Sequence, residues 1–258
     1  VNAGSAPALD SALFEFALRL GDTTLVLGQR VSAWTGHAPI VEEDLALTNV
    51  ALDLVGQARL WLTLAGQIEN AGRDEDALAY FRDAHEFRNV LLVERPNGNF
   101  ADTMARQFLF DTWHFYTLQR LATSRDERVA AIAQKSVREV AYHVRRSGDW
   151  VVRLGDGTDV SRARMQAALD ELWPYTGELF VSDDVDRELV ERGIGCDFEA
   201  LREPWSLHVD GILREATLER PQDGWMHAGG KTGRHTEQLG YLLAEMQSVR
   251  RSVPGERW

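Results

Sequence analysis

Residues 126–157 read DERVAAIAQKSVREVAYHVRRSGDWVVRLGDG, and the fold turns on this stretch. Asp126 can cap a helix at its start, and Gly155-Asp156-Gly157 stops it near Leu154. In between, Ile132, Ser136, Glu139, His143, Arg146 and Trp150 recur at three- and four-residue spacing, so they share one face. The middle of that face is ionisable. A carboxylate and an imidazole one turn apart on the inward side of a long helix are parts of the kind from which carboxylate-bridged di-iron bundles are made.

Helical periodicity extends outward in both directions. Apolar residues at Leu13, Phe14, Ala17, Leu18 and Leu25 predict a helix over 9–34. A second helix is expected over 42–70, closed by Gly72. It is apolar nearly all round, with Leu45, Leu47, Leu52, Leu54, Val55 and Trp61, and so is expected deep in a bundle. Asp74 can cap a third helix running to Val93, and the turn Pro96-Asn97-Gly98-Asn99 precedes a fourth over 100–122. After 157 the pattern is helical but broken: 161–173, 185–192, 198–218 and 235–251. No strand pattern and no repeat occurs. The expectation is an all-α, antiparallel bundle in one domain over 1–258, with a four-helix core over about 9–155 and accessory helices over about 158–252.

The bulk properties exclude several classes. The net charge of −12 argues against nucleic acid and anionic membranes as partners. The lone Cys196 permits no internal disulfide, which favours a reducing cytoplasm. The first ten residues do not read as a signal peptide, and charges or glutamines interrupt every apolar run.

Four acids fall on the apolar stripes of four predicted helices: Asp22, Asp53, Asp111 and Glu139, the last with His143. A lone ionised carboxylate in a core costs several kcal/mol, so each needs a partner or a metal. A four-helix di-iron site takes a Glu from each of two helices and a Glu-x-x-His from each of the other two. Here Gly56 stands three residues after Asp53 and Tyr142 three after Glu139, and His143 is turned by about 100° from the expected direction. Three of the acids are the shorter Asp, and a single imidazole accompanies them. These positions therefore read as degenerate, with no metal in this chain. The plainer account pairs the acids with Arg59, Arg146, Asn49, Gln57 or Gln107 in a buried polar network.

Other signals are weaker. Gly230-Lys231-Thr232 lacks the glycine and the strand of a phosphate loop and reads as a flexible inter-helix loop. The Arg145-Arg146 and Arg250-Arg251 pairs read as solvated faces. Of eight Trp residues, Trp205, Trp225 and Trp258 could anchor a protein interface as readily as a core.

Tyr142-His143, Trp150 and Arg153-Leu154-Gly155-Asp156-Gly157-Thr158 together resemble a hallmark of one family, the C component of the bacterial phenylacetyl-CoA epoxidase. So do Arg164-Met165-Gln166, Leu172-Trp173, Glu178-Leu179-Phe180, Gly229-Gly230, His235-Thr236-Glu237, Leu242 to Gln247 and Pro254-Gly255, in order along nearly the whole chain. The resemblance implies a ferritin-like fold and a structural, non-catalytic role in aerobic phenylacetate breakdown. It implies pairing with the catalytic subunit, the A component, which holds the di-iron centre and the substrate. A small B component would bridge such pairs, and a reductase would supply electrons. The alternatives are a di-iron oxygenase or oxidase with its own Asp-rich site, and a stand-alone bundle.

Overall fold

A computed structural model of the chain describes residues 10–253. Nine α-helices run among them in the order α1 (Ser11–Ser32), α2 (Val41–Glu69), α3 (Glu75–Tyr80), α4 (Phe100–Leu121), α5 (Glu127–Gly155), α6 (Asp159–Leu172), α7 (Asp184–Glu191), α8 (Arg202–Glu215) and α9 (Glu237–Ser252). Six short 3₁₀ segments lie between them, and there is no strand among the described residues. The architecture is all-α and ferritin-like. α1 lies along α2, α4 lies along α5, and α2 meets α5 to close the frame. α6 and α8 pack on the outside of α4 and α5, while α7 and α9 cover α1.

The helix starts follow from local chemistry. Asp10, Asp74, Asn99, Asp126 and Asp183 each accept a backbone N–H of the first turn. α2 closes on Asn70 rather than on Gly72. Asn70 takes the left-handed position at φ 53°, which its short polar side chain tolerates.

The expected helix over 74–93 breaks after Tyr80. Two 3₁₀ turns, Ala84–Glu86 and Leu91–Glu94, replace its second half. The break has a long-range cause. Arg82 and the backbone N–H of Arg88 both reach Asp22 on α1, and Phe87, Leu92 and Val93 are buried. The segment wraps α1 rather than continuing as a rod.

α2 also departs from its reading. It is not buried on every side: Leu45 and Leu52 are 61% and 64% exposed, and Val41 and Val55 accompany them on the same face. The Gly-rich segment is pinned rather than flexible. Buried Glu178 accepts the N–H groups of Leu91, Gly229 and Gly230 at 2.7–2.8 Å. Of the three candidate interface tryptophans, Trp205 is core and Trp225 is 75% exposed. Trp258 lies outside the described residues.

Candidate functional site: a polar seam between α2, α4 and α5

α5 turns Ser147 toward α4, and Glu139 and His143 toward α2. His143 Nε2 lies 3.0 Å from Asp53 Oδ2, so the carboxylate accepts from Nε2–H and Nδ1 faces inward. Glu139 accepts from Gln57 Nε2 at 3.0 Å. Ser147 Oγ is 3.1 Å from Asp111 Oδ2 but 2.8 Å from the His143 carbonyl and 3.3 Å from the Val144 carbonyl, so its one hydrogen faces three acceptors. At one end of the seam, Arg146 pairs with Glu43, which also accepts from Trp150 Nε1 at 2.9 Å. Arg146 is thus buried in an ion pair and not part of a solvated face. The Arg250-Arg251 pair is elsewhere, with Arg251 donating to the Tyr80 carbonyl and Arg250 stacked over Phe81.

Asp22 does not join these residues. It is fully buried against Arg82, whose guanidinium grips both carboxylate oxygens, and it accepts from Arg88 N–H at 2.9 Å. The four acids therefore divide into a seam set (Asp53, Asp111, Glu139) and a separate ion pair. Arg59 lies outside both and meets Glu75 on the surface.

The seam contains an imidazole beyond His143. His114 is buried on α4, one turn after Asp111, and neither ring nitrogen has a hydrogen-bond partner among the described residues. Burial, assisted by repulsion from His143, lowers its pKa to about 3, so the ring is neutral. Burial likewise raises Asp111 to about 6, against the pull of His143, the Ser147 hydroxyl and Arg146. The spacing Asp111-x-x-His114 is visible in the sequence and is the signal that identifies this residue.

Unpaired polar atoms concentrate here. Gln57 Oε1, both amide atoms of Gln107, Asp111 Oδ1, both His114 nitrogens, Thr117 Oγ1, Ser136 Oγ and His143 Nδ1 are buried without a partner among the described residues. Each would cost about 1–3 kcal/mol if left so. Nine such atoms would match or exceed a typical total stability of roughly 5–15 kcal/mol.

Asp53 and Glu139 are already engaged by His143 and Gln57, and Asp22 faces another part of the fold. Among the described residues, no group of three or more His, Cys, Asp or Glu is arranged to hold a metal ion. No helix among them is long and apolar enough to cross a membrane.

Fold and seam together define a ferritin-like, all-α bundle with a buried polar seam between α2, α4 and α5. The chain belongs to the phenylacetic acid catabolic protein family, whose model matches residues 3–258. It is 51% identical over 246 residues to the C subunit of the 1,2-phenylacetyl-CoA epoxidase of Escherichia coli (strain K12), a match that covers 95% of this chain and 99% of that protein.

Proposed function

We propose that this chain is a structural, non-catalytic subunit of a multicomponent phenylacetyl-CoA epoxidase in aerobic phenylacetate catabolism. It pairs in the cytoplasm with a catalytic subunit that carries the di-iron centre. A small bridging subunit joins such pairs, and a reductase docks transiently. The observation that carries this reading is that the chain's own acids are engaged internally: Asp22 by Arg82, Asp53 by His143, and Glu139 by Gln57. Their role is then to hold helices together.

The α2 surface supports pairing. Val41, Leu45, Leu52 and Val55 form an exposed apolar stripe along one helix, and Tyr142 of α5 is 42% exposed. Stripes of this kind on a soluble bundle mark interaction sites. Gly56 adds to it. A helix-interior glycine costs about 1 kcal/mol relative to alanine, and a Cβ built at Gly56 meets nothing within 4 Å. Packing within the chain does not require it, whereas close approach of a partner helix would.

Co-expression with the catalytic subunit, pull-down and iron assay test the reading. The pair co-purifies, iron follows the catalytic chain, and this chain alone holds no stoichiometric iron and shows no epoxidation. Two irons per chain, with turnover, would replace this reading by the oxygenase alternative, for which His114 would supply the second imidazole. Leu52→Glu places a charge in the centre of the stripe. We expect it to weaken the pair at least about tenfold, the equivalent of about 1.4 kcal/mol, while the circular dichroism of the isolated chain stays unchanged. Undiminished affinity would move the interface off α2.

A further inference from the structure

The unpaired atoms of the seam are strung along the faces by which α2, α4 and α5 meet. Gln107 lies on α4 between Met104, which touches Arg146, and Asp111, which touches Ser147, so it is bracketed by contacts to α5. His114 is one turn further on, close enough to His143 to feel that ring's charge. Ser136 lies two turns before His143 on α5. Gln57 reaches the same helix from α2 through Glu139. Neither of the two same-helix pairs among them can close on itself. Gln107 and His114 are seven residues apart, roughly 10 Å along the helix axis, and so are Ser136 and His143.

We propose that the seam between α2, α4 and α5 is a hydrated chamber, in which a cluster of ordered water molecules is bound by Gln57, Gln107, Asp111, His114, Ser136 and His143. The composition of the site selects water over a cation. A cation takes acceptors only, and would leave the Gln107 amide hydrogens, the His114 ring N–H and the Ser136 hydroxyl hydrogen unpaired. Water donates and accepts, and buried water settles where two to four polar partners converge. His143 joins the chamber to the outside. Its Nδ1 faces the waters, and its Nε2 is bonded to Asp53, whose side chain is 35% exposed. The imidazole is thus the one-residue wall between internal water and solvent at that point.

This inference rests on the reading of the seam as free of a metal centre, and its test separates the two. A crystal structure of the full chain at better than about 2 Å, with data also collected at the iron edge, should show at least three ordered waters. Each should lie within hydrogen-bond distance of two or more of these side chains, with no anomalous peak. A dry seam, with the side chains rotated onto one another, overturns the chamber and leaves the proposed function standing. An anomalous peak among Asp53, Asp111, His114 and His143 overturns both. Gln107→Leu gives a second readout. Loss of an amide that holds water should lower the melting temperature by about 2–4 °C or more. An unchanged or raised melting temperature means the amide was a dry, unsatisfied group, and overturns the chamber.

Discussion

Replacing Arg82 with methionine lowers the unfolding free energy by about 3–5 kcal/mol at pH 7. Asp22 is fully buried, and Arg82 is 3% exposed. One guanidinium nitrogen is 3.0 Å from Asp22 Oδ2 and another binds Oδ1. The same side chain donates to the Leu78 carbonyl at 2.6 Å and the Glu86 carbonyl at 3.1 Å, and stacks 4.5 Å over Phe87. Methionine keeps much of the volume and the contact with Phe87. It leaves a buried carboxylate with a single hydrogen bond, from Arg88 N–H, and two carbonyls without their donor. A buried charge stripped of its partner is far costlier than the intact pair is stabilising. The double variant Asp22→Leu with Arg82→Met should therefore recover much of the loss, short of about 1–3 kcal/mol for the two carbonyls and the Arg88 N–H, which loses its acceptor. Urea unfolding of the three variants reads this directly. If Arg82→Met alone costs under about 1 kcal/mol, the pair is not the pin between α1 and the 81–94 segment. If the double variant is no better than the single one, the loss lies in the backbone groups left unpaired and not in the stranded charge of Asp22.

The same pair shows where a sequence stops being legible. The long helices are written locally: Asp126 and the glycine stop fix α5, Asn99 starts α4, and apolar spacing gives α1. Asp22 and Arg82 are 60 residues apart, and nothing local in either segment announces that they meet; hence the third helix reads as continuous to Val93, when it ends at Tyr80. α2 fails differently. An all-round apolar helix has the same pattern whether its last face is covered by its own chain or by another, so Leu45 and Leu52 read as core. At the seam, the Asp53, Glu139 and His143 grouping is legible because one helix face carries the last two. His114 is written at the right spacing after Asp111, but it sits among Phe108, Phe110, Trp113 and Phe115, and the aromatic run reads as plain core. Trp205 and Trp225 look alike in sequence. Only packing makes the first an indole donor to the Leu109 carbonyl in the core and the second a surface ring.

Between pH 7 and pH 4, Asp111→Asn and His114→Gln should change stability relative to the parent chain in opposite directions. Asp111 titrates at about 6 in the folded chain, against an ordinary 3.8. The folded state binds that proton more tightly, so this group adds stability as pH falls from 6 towards 3.8. The rise corresponds to about 3 kcal/mol. His114 titrates at about 3, against an ordinary 6.5. Here the unfolded state binds the proton more tightly, so stability is lost as pH falls below 6.5, by about 3 kcal/mol at pH 4. In the parent chain the two contributions offset each other through this window. Asparagine at 111 removes the gain and exposes the loss: relative to the parent, that variant should be about 2–3 kcal/mol worse at pH 4 than at pH 7. Glutamine at 114 removes the loss, and that variant should be about 3 kcal/mol better, relative to the parent, at pH 4 than at pH 7. Because each figure is a difference of differences, titration elsewhere in the chain cancels, provided the substitutions leave the other groups alone. Urea unfolding at the two pH values measures both. A gap between variant and parent that stays constant across the window for either substitution would mean that the group titrates in the fold as it does in the unfolded chain. That side chain would then be as well hydrated in the fold as in the unfolded chain, rather than desolvated between α2, α4 and α5.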